Sequence, residues 1–147
     1  ACGCHPNAVQ RYLQRVSGPL LDRIDMHIEV SPVKYTELNQ SAAAESSLQI
    51  RLRILAARKI QHERYAQQPG TYANAHMSRR EVELHCKLSA DAQSILQSAM
   101  KKLGLSARAY ERILKVARTI ADLEACSDIT TAHLSEAIQY RNLDRSN

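Results

Sequence analysis

The chain has no phenylalanine and no tryptophan, and its aromatics are six tyrosines. A core without large apolar rings must be built from Leu, Ile, Val and Ala, which suits packed helices better than a β-sandwich. Glycine and proline number four each in 147 residues, so long stretches run without a breaker. No apolar run approaches the roughly 20 residues needed to cross a bilayer, and no charged-then-apolar leader opens the chain. The expectation is a cytoplasmic protein with no membrane partner, and the abrupt opening at Ala1-Cys2 reads as a cut. There is no Gly-x-x-x-x-Gly-Lys-[Ser/Thr] phosphate loop and no apolar strand ending in an acidic pair for Mg²⁺. The chain therefore cannot assemble a nucleotide site by itself. The histidines are scattered without a His-x-x-x-His pair, and His85-Cys86 lacks a third member, so nothing supports a stand-alone hydrolase.

What is present is a mildly basic chain, +5 at pH 7, long enough for one ordinary core or one helical domain plus the edge of another. Charge of that sign permits contact with phosphate or nucleic acid. Val9 to Val16 reads as a short helix ended by Gly18-Pro19, and Leu20 to Ile24 as one further turn. Met26, Ile28 and Val30 alternate like an edge strand, stopped by Ser31-Pro32. Residues 33–44 are polar, alanine-rich and aperiodic, which predicts a linker. A long helix is expected from Glu45 to Gln67, terminated by Pro69-Gly70, then a loop over 71–77 and a short helix over 79–86. Arg51, Arg58 and His62 share one stripe of the long helix. With no interleaved aromatics, that stripe reads as a solvated face ahead of a nucleic-acid patch.

The last three helices are the clearest. Ser89 caps one that Gly104 stops, Ser106 caps the next, and Thr130 caps the last. Ala109, Ile113, Val116, Ala117 and Ile120 form a core stripe at helical spacing, and Leu134, Ala137 and Ile138 face inward from the final helix. The fold class is mainly α, a helical bundle preceded by a short helix-strand strip. Cys86 and Cys126, each alone in a helical context, are expected as buried reduced thiols.

Three places carry candidate chemistry. In Gly18-Pro19-Leu20-Leu21-Asp22-Arg23-Ile24-Asp25, an arginine sits between two carboxylates. Asp22 and Asp25 can hold its guanidinium until a phosphate competes, and a surface Arg-Asp cluster is the bland alternative. Arg108 is the second residue of the helix capped by Ser106. A cation there opposes the partial positive charge of the helix N-terminus, at a cost of a few tenths to about 1 kcal/mol. An anion resolves that conflict, since unpaired N–H groups and a guanidinium together make a phosphate site; Glu111 is the local alternative partner. Cys2 and Cys4, followed by His5, place soft ligands within reach of one ion. Tetrahedral zinc wants a second such arm, which this chain lacks.

Several separated motifs in order carry a family resemblance. Gly18 to Val30 resembles the arginine-finger segment of the magnesium-chelatase-related AAA+ ATPases, with the match best in the ComM/YifB subfamily. Asn74-Ala75-His76-Met77, Leu105-Ser106-Ala107-Arg108-Ala109-Tyr110 and the tail Ile129 to Arg141 resemble it too. The resemblance implies that the bundle is the helical lid, spanning residues 45–147, with residues 1–32 a strip of the ATPase core. It implies that Arg23 is the arginine finger and Arg108 the sensor-2 arginine at the γ-phosphate, both acting on a neighbouring protomer's nucleotide. The long helix would be that branch's insert before sensor 2. ATP and Mg²⁺ would serve the full-length protein, and an upstream cysteine pair would complete a zinc site with Cys2 and Cys4. The protomers would form a ring, expected to be a hexamer, coupling hydrolysis to DNA remodelling or branch migration in competence and recombination. The alternatives are a chelatase-type motor driving metal into a porphyrin, and a stand-alone helical DNA-binding module. The latter gives no account of Gly18 to Asp25.

Overall fold

The computed structural model describes residues 3–13, 15–32 and 45–141, so the expected linker over 33–44 and Cys2 lie outside the described residues. Its helices are α1 (Pro6–Leu13), α2 (Gly18–Leu21), α3 (Ser47–Tyr65), α4 (Arg79–His85), α5 (Ala90–Leu103), α6 (Ala107–Leu123) and α7 (Thr131–Gln139). A single 3-10 turn, Asn74–His76, sits in the loop between α3 and α4.

Local chemistry explains where the helices begin and end. Ser46 with Gln49, Ser78 with Glu81 and Thr130 with His133 form reciprocal capping boxes, each satisfying two orphan donors. Ser89 and Ser106 accept the N–H of Ala92 and Ala109 through their hydroxyls. Gly104, at φ 61°, turns the chain out of α5 in the left-handed region, where a Cβ would be strained.

α6 is the hub: it packs against α7, α3, α4 and the Asn74–His76 turn, while α5 packs on α7. Ala109, Ile113, Ala117 and Ile120 are buried and Val116 is half-buried, as their spacing predicts, and Leu134, Ala137 and Ile138 meet them from α7. Burying one such branched side chain is worth about 1.5–3 kcal/mol. Cys86 is buried, and burial pushes its thiol up to about 11, so it is an inert filler. Cys126 departs from expectation. It lies in the α6–α7 turn and is only half-buried, because the helix has already ended at Leu123 and Ala125 takes φ 55°.

A polar knot ties α3 and the Asn74 turn to α6. Arg64 donates to both carboxylate oxygens of Asp122, at 2.7 and 2.5 Å, and Arg118 reaches the same carboxylate at 3.1 Å. The Asn74 amide donates to Asp122 and to Thr119, and its oxygen accepts from Tyr65 at 2.7 Å. Asp122 and Asn74 are each only 1% exposed, so a fully satisfied network is required at this depth.

The N-terminal strip differs from its expected form. Met26 to Val30 is extended but joins no ladder; among the described residues the only β pairing is an isolated parallel bridge between Leu88 and Ile129. A strand exists only with a neighbour, and here one backbone donor of the strip is taken elsewhere: His27 N–H donates to the Tyr140 carbonyl at 2.7 Å. The strip is thereby fastened to the end of α7.

Candidate functional site

α2 starts with Pro19 in its first turn, where the missing N–H costs nothing, and ends within four residues. Arg23 therefore stands on a tight turn, its N–H donating to the Leu20 carbonyl at 3.0 Å, and its exposed guanidinium has no ion-pair or hydrogen-bond partner among the described residues. The expectation that Asp22 and Asp25 hold its guanidinium is corrected. Asp25 pairs with Arg112 of α6, and Asp22 faces Arg141 at 3.8 Å. The physical reason is competition: two lid arginines reach the carboxylates through space, leaving the guanidinium between them without an acid to bind.

Arg141 anchors this arrangement. It is completely buried, and its guanidinium donates to the carbonyls of Leu21 and Ile24, the residues that bracket Asp22 and Arg23. Leu21 ends the four-residue helix and its carbonyl also accepts the Ile24 N–H at 3.0 Å, so the guanidinium closes over the turn that follows the helix. The side chain thus satisfies the turn on which Arg23 sits. His27, only 5% exposed, packs at the same joint, with neither ring nitrogen hydrogen-bonded among the described residues.

Arg108 is the second residue of α6, exposed, and the local alternative fails: it forms no ion pair with Glu111. The Ser106 hydroxyl takes the Ala109 N–H at 3.2 Å, which leaves the N–H groups of Ala107 and Arg108 unpartnered among the described residues. No acid occupies the first turn of α6. Positive potential at this helix start is thus uncompensated.

The two arginine-bearing elements are joined. Arg112 lies one helical turn beyond Arg108, and its partner Asp25 lies two residues beyond Arg23. The pair is half-exposed, with side-chain accessibilities of 30% and 51%, so it contributes at most about 1 kcal/mol to stability. Its larger effect is positional. Sequence reasoning missed Arg112 and Arg141, since nothing local distinguishes them from solvated surface arginines.

The fit to an anionic nucleotide is partial. Two unpaired guanidiniums and a free helix start suit a γ-phosphate, whereas nothing in the chain would cradle the other phosphates or hold Mg²⁺. At the N-terminus Cys4 and His5 are exposed, and His5 Nδ1 accepts the Asn7 N–H at 3.3 Å, so these residues serve the start of α1 and do not by themselves form a zinc shell. Elsewhere, ligand atoms of Glu124, Cys126 and His133 lie within 4.8 Å of one another. His133 is already committed: its Nδ1 accepts the Thr130 N–H at 3.1 Å, so Nε2 carries the proton and donates to Glu124 at 2.9 Å. His133 and Glu124 are thereby explained by the helix cap, and Cys126 Sγ donates to the Glu124 carbonyl at 3.7 Å.

Residues 44–141 match the family model of the magnesium chelatase subunit ChlI C-terminal region, and residues 1–38 match that of magnesium chelatase subunit ChlI. The chain is 45% identical over 141 residues to the competence protein ComM of Haemophilus influenzae and 41% identical over 143 residues to YifB of Salmonella typhimurium. It is 30% identical over 140 residues to a Mycobacterium bovis protein, Mb2921c. These alignments cover 95–97% of the chain but 27% of each relative, so the chain spans about a quarter of the length of the curated relatives it matches.

Proposed function

The chain belongs to the magnesium chelatase family, of the subunit ChlI C-terminal type, and from that premise we propose that it is the lid-bearing part of a chelatase-like AAA+ ATPase. In this reading Arg23 and Arg108 act in trans on ATP held by a neighbouring protomer in a ring, a hexamer. ATP bound in that neighbour's phosphate cradle supplies the reactive phosphoanhydride. Arg23 takes up charge that develops on the transferred phosphoryl group, and Arg108 binds the γ-phosphate where the α6 N–H groups add their dipoles. The observation that carries the reading is the Arg112–Asp25 pair, which ties the turn of Arg23 to the helix of Arg108 while both guanidiniums stay unpartnered among the described residues.

The work done by hydrolysis is read as DNA remodelling or branch migration. The support is similarity at 45% identity to a relative named a competence protein, together with a net charge of +5. A phosphate-directed arginine pair also suits the alternative reading, a chelatase motor, as the matched family models do. Mixing two inactive full-length variants tests the trans arrangement: Arg23→Ala, and one lacking the lysine of the upstream phosphate cradle. Restored ATP turnover on mixing is expected, and two partners that stay inactive together would overturn the reading.

A further inference from the structure

We propose that the groove between the C-terminal half of α3 and the Thr71-Tyr72 loop binds a single strand of nucleic acid. The groove encloses about 730 Å³, and its walls carry Arg58, Lys59, His62, Gln67, Gln68 and Tyr72. No carboxylate lines it. Its positive charges are available. Arg58 has no partner among the described residues, and Lys59 meets only Glu63, at 3.9 Å, through side chains 79% and 66% exposed. A polyanion would displace so loose a pair at little cost.

The aromatic that the sequence places beside the arginine stripe of α3, Tyr65, is buried, and the fold supplies an exposed one. Pro69 and Gly70, the latter at φ +89°, reverse the chain after α3 and bring Tyr72 back to the helix that carries Arg58 and His62. Tyr72 is 69% exposed. Its ring is not adrift, because His76 packs against it edge-to-face at 6.2 Å between centroids. An oriented, exposed ring flanked by cations and amides is the arrangement that stacks a base while phosphates run along the positive side. Arg51 extends the stripe, so Arg51, Arg58 and His62 mark out about 16 Å of helix for a backbone to follow. An acidic protein segment would use the charges but has no need of the ring or the amides.

The groove is separate from Arg23 and Arg108, and only the choice of DNA over RNA rests on the function proposed above. Binding of fluorescein-labelled dT20 and rU20 to the full-length protein, followed by anisotropy without nucleotide, tests it independently of ATPase activity. Tyr72→Ala is expected to weaken binding about tenfold, with Tyr72→Phe close to wild type. The double variant Arg58→Ala/Lys59→Ala is expected to flatten the dependence of log affinity on log salt by about 1.4. All three positions are exposed, so the fold is retained, and melting curves verify it. Tighter binding of dT20 assigns the strand as DNA, and tighter binding of rU20 assigns it as RNA. Affinity within twofold of wild type for Tyr72→Ala, or equally strong occupation by polyglutamate, would overturn the proposal.

Discussion

Asp25 is paired with Arg112, and not with the arginine two positions before it in its own loop. The acid that local spacing assigns to Arg23 is instead spent on joining two elements. Arg23 is thereby exposed and uncompensated, the condition in which a guanidinium is ready for a phosphate.

Arg23→Ala in the full-length protein is expected to reduce ATP turnover by about 10³–10⁵ while nucleotide binding stays within a few-fold of wild type. The turn itself is held by Arg141 through backbone carbonyls, so truncating Arg23 does not disturb it. Steady-state ATPase rates beside nucleotide titrations check this, and near-normal turnover would count against the finger role.

Arg112→Ala separates position from charge. The pair is half-exposed, so unfolding free energy should change by less than about 1 kcal/mol. Turnover should nevertheless fall about tenfold, because a small displacement of a charge-stabilising group is costly. Arg112→Lys should recover part of the loss. If Arg112→Ala and Asp25→Asn together are no worse than either alone, the pair acts as a unit.

Arg108→Ala is expected to lower turnover and leave the melting temperature unchanged or slightly raised. Removing a cation from the first turn of α6 relieves its conflict with the helix dipole, and alanine is the better helix former. A lowered melting temperature with unaltered turnover would make Arg108 a structural residue.

Asp122 makes the fold sensitive to acid. Burial pushes its carboxyl up, but hydrogen bonds from Arg64 and Asn74 and the charges of Arg64 and Arg118 outweigh that, and the group is held below the usual carboxylate range. A group with a depressed folded value contributes fully above its unfolded value, near about 4, and that contribution is lost as pH falls through the folded value. Melting temperature should therefore drop below about pH 4. Asp122→Asn should cost about 3–5 kcal/mol at neutral pH, since it leaves the buried Arg118 and the half-buried Arg64 uncompensated, and should flatten the acid limb. Calorimetry across pH 3 to 7 checks both.

The fold was legible wherever the signal is local. Ser89, Ser106 and Thr130 cap the helices they were expected to cap, and Gly104 stops α5, because capping depends on residues three or four apart. Met26 to Val30 alternates like a strand, but alternation cannot report whether a neighbouring strand is present to pair with. The unpaired state of Arg23 and Arg108 was not legible either. It depends on contacts such as Arg112 with Asp25, 87 residues apart, which no local pattern encodes. The knot of Arg64, Arg118 and Asp122 depends in the same way on a contact between residues 58 apart, Arg64 with Asp122.

The clasp at the end of α7 has a mechanical consequence. Tyr140 and Arg141 grip the backbone on both sides of Asp25, at Leu21, Ile24 and His27. Any tilt of the bundle must carry the Arg23 turn with it, as a lever carries its tip. A stroke begun at Arg108 when a phosphate leaves would then withdraw Arg23 from the same neighbour in one motion. Engagement and release of the two arginines would be a single event, timed by the slower of them.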